Sequence, residues 1–140
     1  MEREVTSPHS MIQPDGLSPG RGFSHAVVAE AGRTVWVAGE IGIDADGNLV
    51  DGGWAEQFDQ ALSNVATALA ASGTEPGHVV SMQIFTTDVA AYRDAAPALA
   101  PVYQRHFGHH YPAMAVVGVT ELVEPAAVVE IMAVAVVPTK

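Results

Sequence analysis

From Ala126 to Val137 the chain reads Ala-Ala-Val-Val-Glu-Ile-Met-Ala-Val-Ala-Val-Val, an apolar run broken by one charge, Glu130. So much valine and isoleucine predicts a strand, and a strand this apolar belongs in a core. An isolated carboxylate buried there in its ionised form costs several kcal/mol. Glu130 must therefore be protonated, hydrogen-bonded, or turned toward a polar cleft, and it is the first candidate for acid/base chemistry. Two plainer readings stay open: a solvent-facing residue on a one-sided strand, or the partner of an arginine at a subunit contact.

The chain has 140 residues, 49% of them hydrophobic, enough for one core. Residues 1–21, with Pro8, Pro14, Pro19, Gly16 and Gly20 among polar residues, read as an irregular arm, loosely ordered in at least its first half. Residues 22–140 read as a single domain. The start, Met1-Glu2-Arg3-Glu4-Val5, has neither the basic head nor the apolar stretch of a signal peptide, and no run is long enough to span a membrane. A soluble, cytoplasmic protein is expected. Cysteine is absent, which removes disulfides, thiolate metal sites and a cysteine nucleophile. The formal charge is -10 and the only lysine is Lys140. Nucleic acid and anionic membranes are disfavoured as partners by that charge, and a lysine Schiff base has no plausible residue. The high apolar fraction points to burial between subunits.

Along the domain, Ala26–Glu30 and Arg33–Ala38 flank Ala31-Gly32, a hairpin signal. Asp44-Ala45-Asp46-Gly47-Asn48 is superficially like a calcium loop but lacks the following helix and closing glutamate, so a plain hairpin turn is expected. Trp54, Phe58, Ala61, Leu62, Val65, Ala68 and Leu69 recur at spacings of three and four, an amphipathic helix ended by Ser72-Gly73. Val79–Thr87 reads as a strand. Asp88 caps a second helix from Val89 to about Phe107, which Pro97 and Pro101 are expected to bend or interrupt and Gly108 to end. Strands over 113–119 and 128–137 finish the chain. This order suits an α+β sheet with both helices on one face.

His106, His109 and His110 gather near Gly108, but that glycine interrupts the helix on which two of them would share a face, so no metal site is assigned. The glycines fit neither the P-loop nor the dinucleotide fingerprint, and no cofactor is indicated. Glu40 closes an apolar strand immediately after Gly39, where glycine allows a ligand or another backbone to come close. A solvated strand-end carboxylate is the alternative. Tyr111, held extended by Pro112, either walls a pocket or packs with a wet hydroxyl.

Taken in order, Gly22-Phe23-Ser24-His25, Ala38-Gly39-Glu40-Ile41, the segment Phe58–Val65, Val79 through Phe85 to Asp88, Tyr103, Tyr111-Pro112-Ala113 and Val129–Val136 resemble the Rid family. These are the YjgF-like reactive intermediate deaminases, some of them labelled endoribonuclease L-PSP, and the resemblance covers residues 22–137. It implies a chorismate-mutase-like α+β fold, a mixed sheet with two helices packed on one face, a homotrimer, and clefts between adjacent subunits. Archetypal members hydrolyse 2-imino or 2-enamino acids to 2-oxo acids and ammonia without a cofactor. Of the cleft residues the resemblance implies, a tyrosine corresponds to Phe23, a substrate-binding glycine to Gly39, and a water-orienting glutamate to Glu130. The arginine that clamps the substrate carboxylate corresponds to Met114, so this is a divergent member.

A guanidinium binds carboxylate through two charge-assisted hydrogen bonds and a thioether cannot. Either Arg21, Arg93 or Arg105 supplies the anion site from elsewhere, or the substrate is neutral or cationic. The second outcome is favoured, because Glu40 and Glu130 could face one cleft, where each raises the other's proton affinity. The expected function is cofactor-free hydrolysis of a small imine or enamine other than the archetypal 2-imino acid. Glu130 would activate water, and protonated Glu40 or His25 would assist departure of nitrogen. Phe23, Ser24, His25, Gly39, Tyr111 and Met114 are the expected substrate-binding residues. The alternative is a non-catalytic trimeric protein that binds a small ligand. RNA cleavage, suggested by the family label, is disfavoured by the charge.

Overall fold

The structure, a computed structural model, describes residues 3–139; Met1, Glu2 and Lys140, and with them the first residues of the expected loose arm, lie outside it. Six strands, β1 (Ser10–Ile12), β2 (Ala26–Val28), β3 (Gly32–Ile41), β4 (Val79–Thr86), β5 (Ala113–Gly118) and β6 (Val129–Pro138), join two helices, α1 (Trp54–Ala71) and α2 (Val89–Phe107). The main sheet has the order β3-β6-β4-β5, with β6 antiparallel to both neighbours and β4 parallel to β5. Its strands and helices make the α+β mixed sheet with two helices that the sequence implied.

Period-two alternation on β6 decides the faces. Val129, Ile131 and Ala135 are fully buried and Ala133 nearly so, whereas Met132 on the other face is 41% exposed. The buried side receives α1 through Phe58, Leu62, Val65 and Leu69, and α2 packs beside it through Leu99, Tyr103 and Phe107. Each fully buried leucine or valine here contributes roughly 2 kcal/mol of apolar transfer.

The second helix, α2, begins and ends where its caps dictate. Asp88 Oδ1 accepts from the Ala91 amide at 2.9 Å, and Gly108, at φ +56, ends α2 with its amide on the Gln104 carbonyl. The expected break at Pro97 and Pro101 does not occur: α2 is continuous. The two prolines lie four residues apart on an exposed face, so the carbonyls that lose an amide partner can turn to water.

The expected hairpin across Ala31-Gly32 is also absent. β2 pairs with β1, and β3 pairs with the distant β6, starting at Gly32 opposite Pro138. Gly32 is a packing glycine: a Cβ there would strike the Val137 carbonyl. By contrast, the 44–48 segment is the turn expected, with Asp44 Oδ1 accepting from the amides of Asp46 and Asn48.

From residue 3 onward the arm is docked. The Arg3 amide bonds the Gln104 carbonyl at 2.9 Å, and the Thr6 carbonyl lies where a Cβ on Gly77 would be. His9, 7% exposed, donates from Nε2 to the Val136 carbonyl and accepts the Glu30 amide at Nδ1. Among the described residues no helix is long and apolar enough to cross a membrane.

Candidate functional site

The acids of the β3–β6 ladder occupy adjacent rungs, Glu40 opposite Ile131 and Glu130 opposite Ile41. Since Val129 and Ile131 enter the core, Glu130 leaves the face that carries no helix, half-buried. Just before, the register shifts between Val37 and Glu40, so that Ala38 and Gly39 together face the single residue Met132. This bulge brings Gly39 under Glu130: a Cβ on residue 39 would lie 2.6 Å from Glu130 Oε2. Only glycine leaves that carboxylate its position. Glu40 is pushed above the ordinary carboxylate range, first by burial and then by the charge of Glu130.

Two amides of α1 hold these rungs. Gln57, 5% exposed, donates to the Ala126 carbonyl at 3.2 Å and accepts from the Val128 amide at 2.8 Å, fixing the entry to β6. Asn64 Nδ2 donates to the carbonyls of Ile41 and Ile43, fixing the exit from β3. Neither was singled out from sequence, and their only signal is a polar position on the flank of an apolar stripe.

A cavity of about 660 Å³ opens between α2 and β4–β5. Phe23, Tyr111 and Met114 line it together, with Arg21, Trp54 and Tyr103 among the remaining walls. Tyr111 stacks on Tyr103 at 5.4 Å, and its hydroxyl accepts from Gln104 Nε2 at 2.9 Å. Gly39, Glu40 and Glu130 are not among its walls. In one protomer the sequence-predicted residues thus form two groups: an aromatic chamber containing Met114 and an acidic ladder containing Glu130.

Ser24 and His25 are engaged in holding backbone. Ser24, 5% exposed, donates its hydroxyl to the Tyr111 carbonyl at 2.6 Å, and a His25 ring nitrogen donates to the Ser18 carbonyl at 2.6 Å. His25 also meets Phe23 edge-on at 5.2 Å. The three clustered histidines diverge: His106 bonds Asp59 at 2.6 Å, His109 lies 3.3 Å from the Tyr111 hydroxyl, and His110 donates to the Val79 carbonyl. Of the candidate arginines, Arg105 pairs with Asp59 at 3.1 Å and Arg93 lies on the exposed side of α2. Burial would raise Asp59, but hydrogen bonds and charge from His106 and Arg105 outweigh it and hold the carboxyl below its usual range.

The family described as endoribonuclease L-PSP matches residues 14–137. The chain is 32% identical over 110 residues to the human 2-iminobutanoate/2-iminopropanoate deaminase, covering 78% of this chain and 74% of that protein. It is 35% identical over 115 residues to protein DfrA of Myxococcus xanthus, covering 81% and 82%. Among solved structures it superposes on the Rid-family protein YyfB of Yersinia pestis with a TM-score of 0.83 at 30% identity, covering 92% of this chain and 98% of that one.

Proposed function

The chain belongs to the endoribonuclease L-PSP family, the Rid/YjgF group, and on that premise we propose that it is a cofactor-free hydrolase of the imine/enamine deaminase type, acting on a small molecule in a cleft between the subunits of a homotrimer. Relatives named for deamination of 2-iminobutanoate and 2-iminopropanoate support the reaction class. The observation that carries the reading is the half-buried Glu130 carboxylate lying over Gly39 on the helix-free face.

Glu130 takes a proton from water as the oxygen attacks the carbon of the protonated imine, giving a neutral carbinolamine. A general acid, for which Glu40 is the candidate, delivers a proton to nitrogen; the C–N bond breaks, ammonia leaves, the hydroxyl proton passes to the carboxylate of that acid as the carbonyl forms, and Glu130 releases its proton to solvent. No redox step is involved. Because the acids stand apart from the aromatic chamber in one protomer, the cleft is best built from two, the ladder of one copy closing the chamber of the next. Trp36, 78% exposed, and Met132 give the helix-free face an apolar surface suited to such assembly. Met114 implies that the substrate does not dock as the archetypal 2-imino acids do.

One observation favours a second reading, a trimer that binds a ligand without chemistry: the chamber is mostly apolar, with a thioether where an arginine is usual in the family. Ammonia release from freshly generated imines, compared with ligand-dependent thermal stabilisation in the absence of turnover, separates the two. The charge of -10 speaks against RNA as substrate.

A further inference from the structure

The segment before β2 carries Arg21 to the same chamber that Met114 lines, and it is tied down on both sides of that arginine. Gln13 reaches across it. Its Oε1 accepts the Gly20 amide at 3.0 Å and its Nε2 donates to the Phe23 carbonyl at 2.8 Å. The bond from His25 to the Ser18 carbonyl closes the segment from outside. The flanking glycines are required by this path. A Cβ on Gly20 would lie 2.9 Å from Gln13 Nε2, and Gly22 adopts φ +76, a left-handed conformation that side chains disfavour. Arg21 is thus a cation on a clasped turn. Among the described residues the salt bridges are those of Asp59 with Arg105 and His106, so no described carboxylate neutralises Arg21.

The chamber it borders is walled by Phe23, Trp54, Tyr103 and Tyr111 and has room for a ring-sized body. One exposed arginine at the edge of an aromatic-walled chamber suits a ligand with one anionic end and a flat apolar remainder. In a chain of net charge -10, an anion needs such a local cation to stay bound.

We propose that Arg21 is the anion anchor of this chamber, replacing from the N-terminal arm the guanidinium that Met114 lacks, and that the ligand class is a small carboxylate bearing an aromatic or bulky apolar group. This rests on the reading of the chamber as half of the reaction cleft, and it favours the displaced arginine over the neutral or cationic substrate. Arg21 sets specificity; Gln13 is a positioning residue that acts through it.

Binding is the test, because it is independent of turnover. Calorimetric titration of the full chain with 3-phenylpyruvate, the 2-oxo acid that would be the product, is expected to show binding that weakens by about tenfold or more in Arg21→Ala. Uncharged 3-phenylpyruvamide is expected to bind weakly and equally to both proteins. Gln13→Ala should weaken the acid without affecting the amide, and Arg21→Ala combined with Met114→Arg should recover the acid. Equal affinity of wild type and Arg21→Ala for phenylpyruvate, or no preference of the wild type for acid over amide, overturns the proposal. If phenylpyruvate binds through Arg21 but no imine is hydrolysed, the deaminase reading fails and the anchor stands; turnover that ignores Arg21 gives the reverse.

Discussion

The carboxylate of Glu130 lies across the backbone of Gly39, so near that a Cβ on residue 39 would stand 2.6 Å from Oε2 and 2.8 Å from Cδ. A bulge in one strand therefore positions an acid on its neighbour. The two residues are far apart in sequence, yet the position of the acid depends on the absence of a side chain at the other.

Gly39→Ala tests that dependence. The atoms struck are the far end of a flexible side chain, so the carboxylate should move while the backbone stays. Ammonia release from imines is expected to fall about tenfold or more, since a displacement near 1 Å at a reacting group has effects of that order. The melting temperature should stay within about 2 °C, as for a substitution that spares the core. Full activity in this variant would separate Glu130 from Gly39.

Much of this arrangement was legible in the sequence. Glu130 announced itself as the one charge in an apolar run, and the two helices could be bounded from their stripes, from Asp88 and from Gly108. What escaped was long-range. Ala31-Gly32 has the composition of a turn, but its glycine is there for close contact with the Val137 carbonyl, a neighbour that no local pattern names. The docking of the arm escaped for a similar reason, because its contacts at Gly77 and Gly108 are made by backbone carbonyls. Gln57 and Asn64 look like ordinary flank residues until the strand ends they clamp are in place. Arg21 could be named only as one of three candidate cations, since Gln13 is what ties down its segment.

Gln57→Ala should cost about 2 kcal/mol, because it leaves the Ala126 carbonyl and Val128 amide without their partner in a buried place. The check is a lower urea midpoint at unchanged slope. A midpoint equal to wild type would mean that water replaces the clamp at no cost.

Acid should weaken the fold through His110. Burial pushes its pKa below 6.5, the bond to the Val79 carbonyl opposes this, and His9 and His78 push it further down. The unfolded chain then binds a proton more readily than the folded one. His110 therefore contributes stability that is present above pH 6.5 and lost as pH falls through its lower folded value. His110→Gln, which retains a donor for the Val79 carbonyl, should melt lower at neutral pH but with a shallower decline in acid. An unchanged slope would assign the acid sensitivity to other groups.

The helix-free face should hold the assembly together. Light scattering is expected to give three times the chain mass of 14.6 kDa for the wild type. Trp36→Glu, a charge placed on a side chain that is 78% exposed in one protomer, should give monomers with an intact fold. A monomeric wild type would remove the proposed inter-subunit cleft.

The most direct measurement is ammonia release by Glu130→Gln from 2-imino acids generated in place by an amino-acid oxidase, at matched chain concentration. Glutamine keeps the size of the side chain but cannot accept a proton from water, so turnover should fall to the uncatalysed rate while mass and melting temperature stay unchanged. Turnover equal to wild type would show that Glu130 is not the base, and the account of this site would be contradicted at its centre.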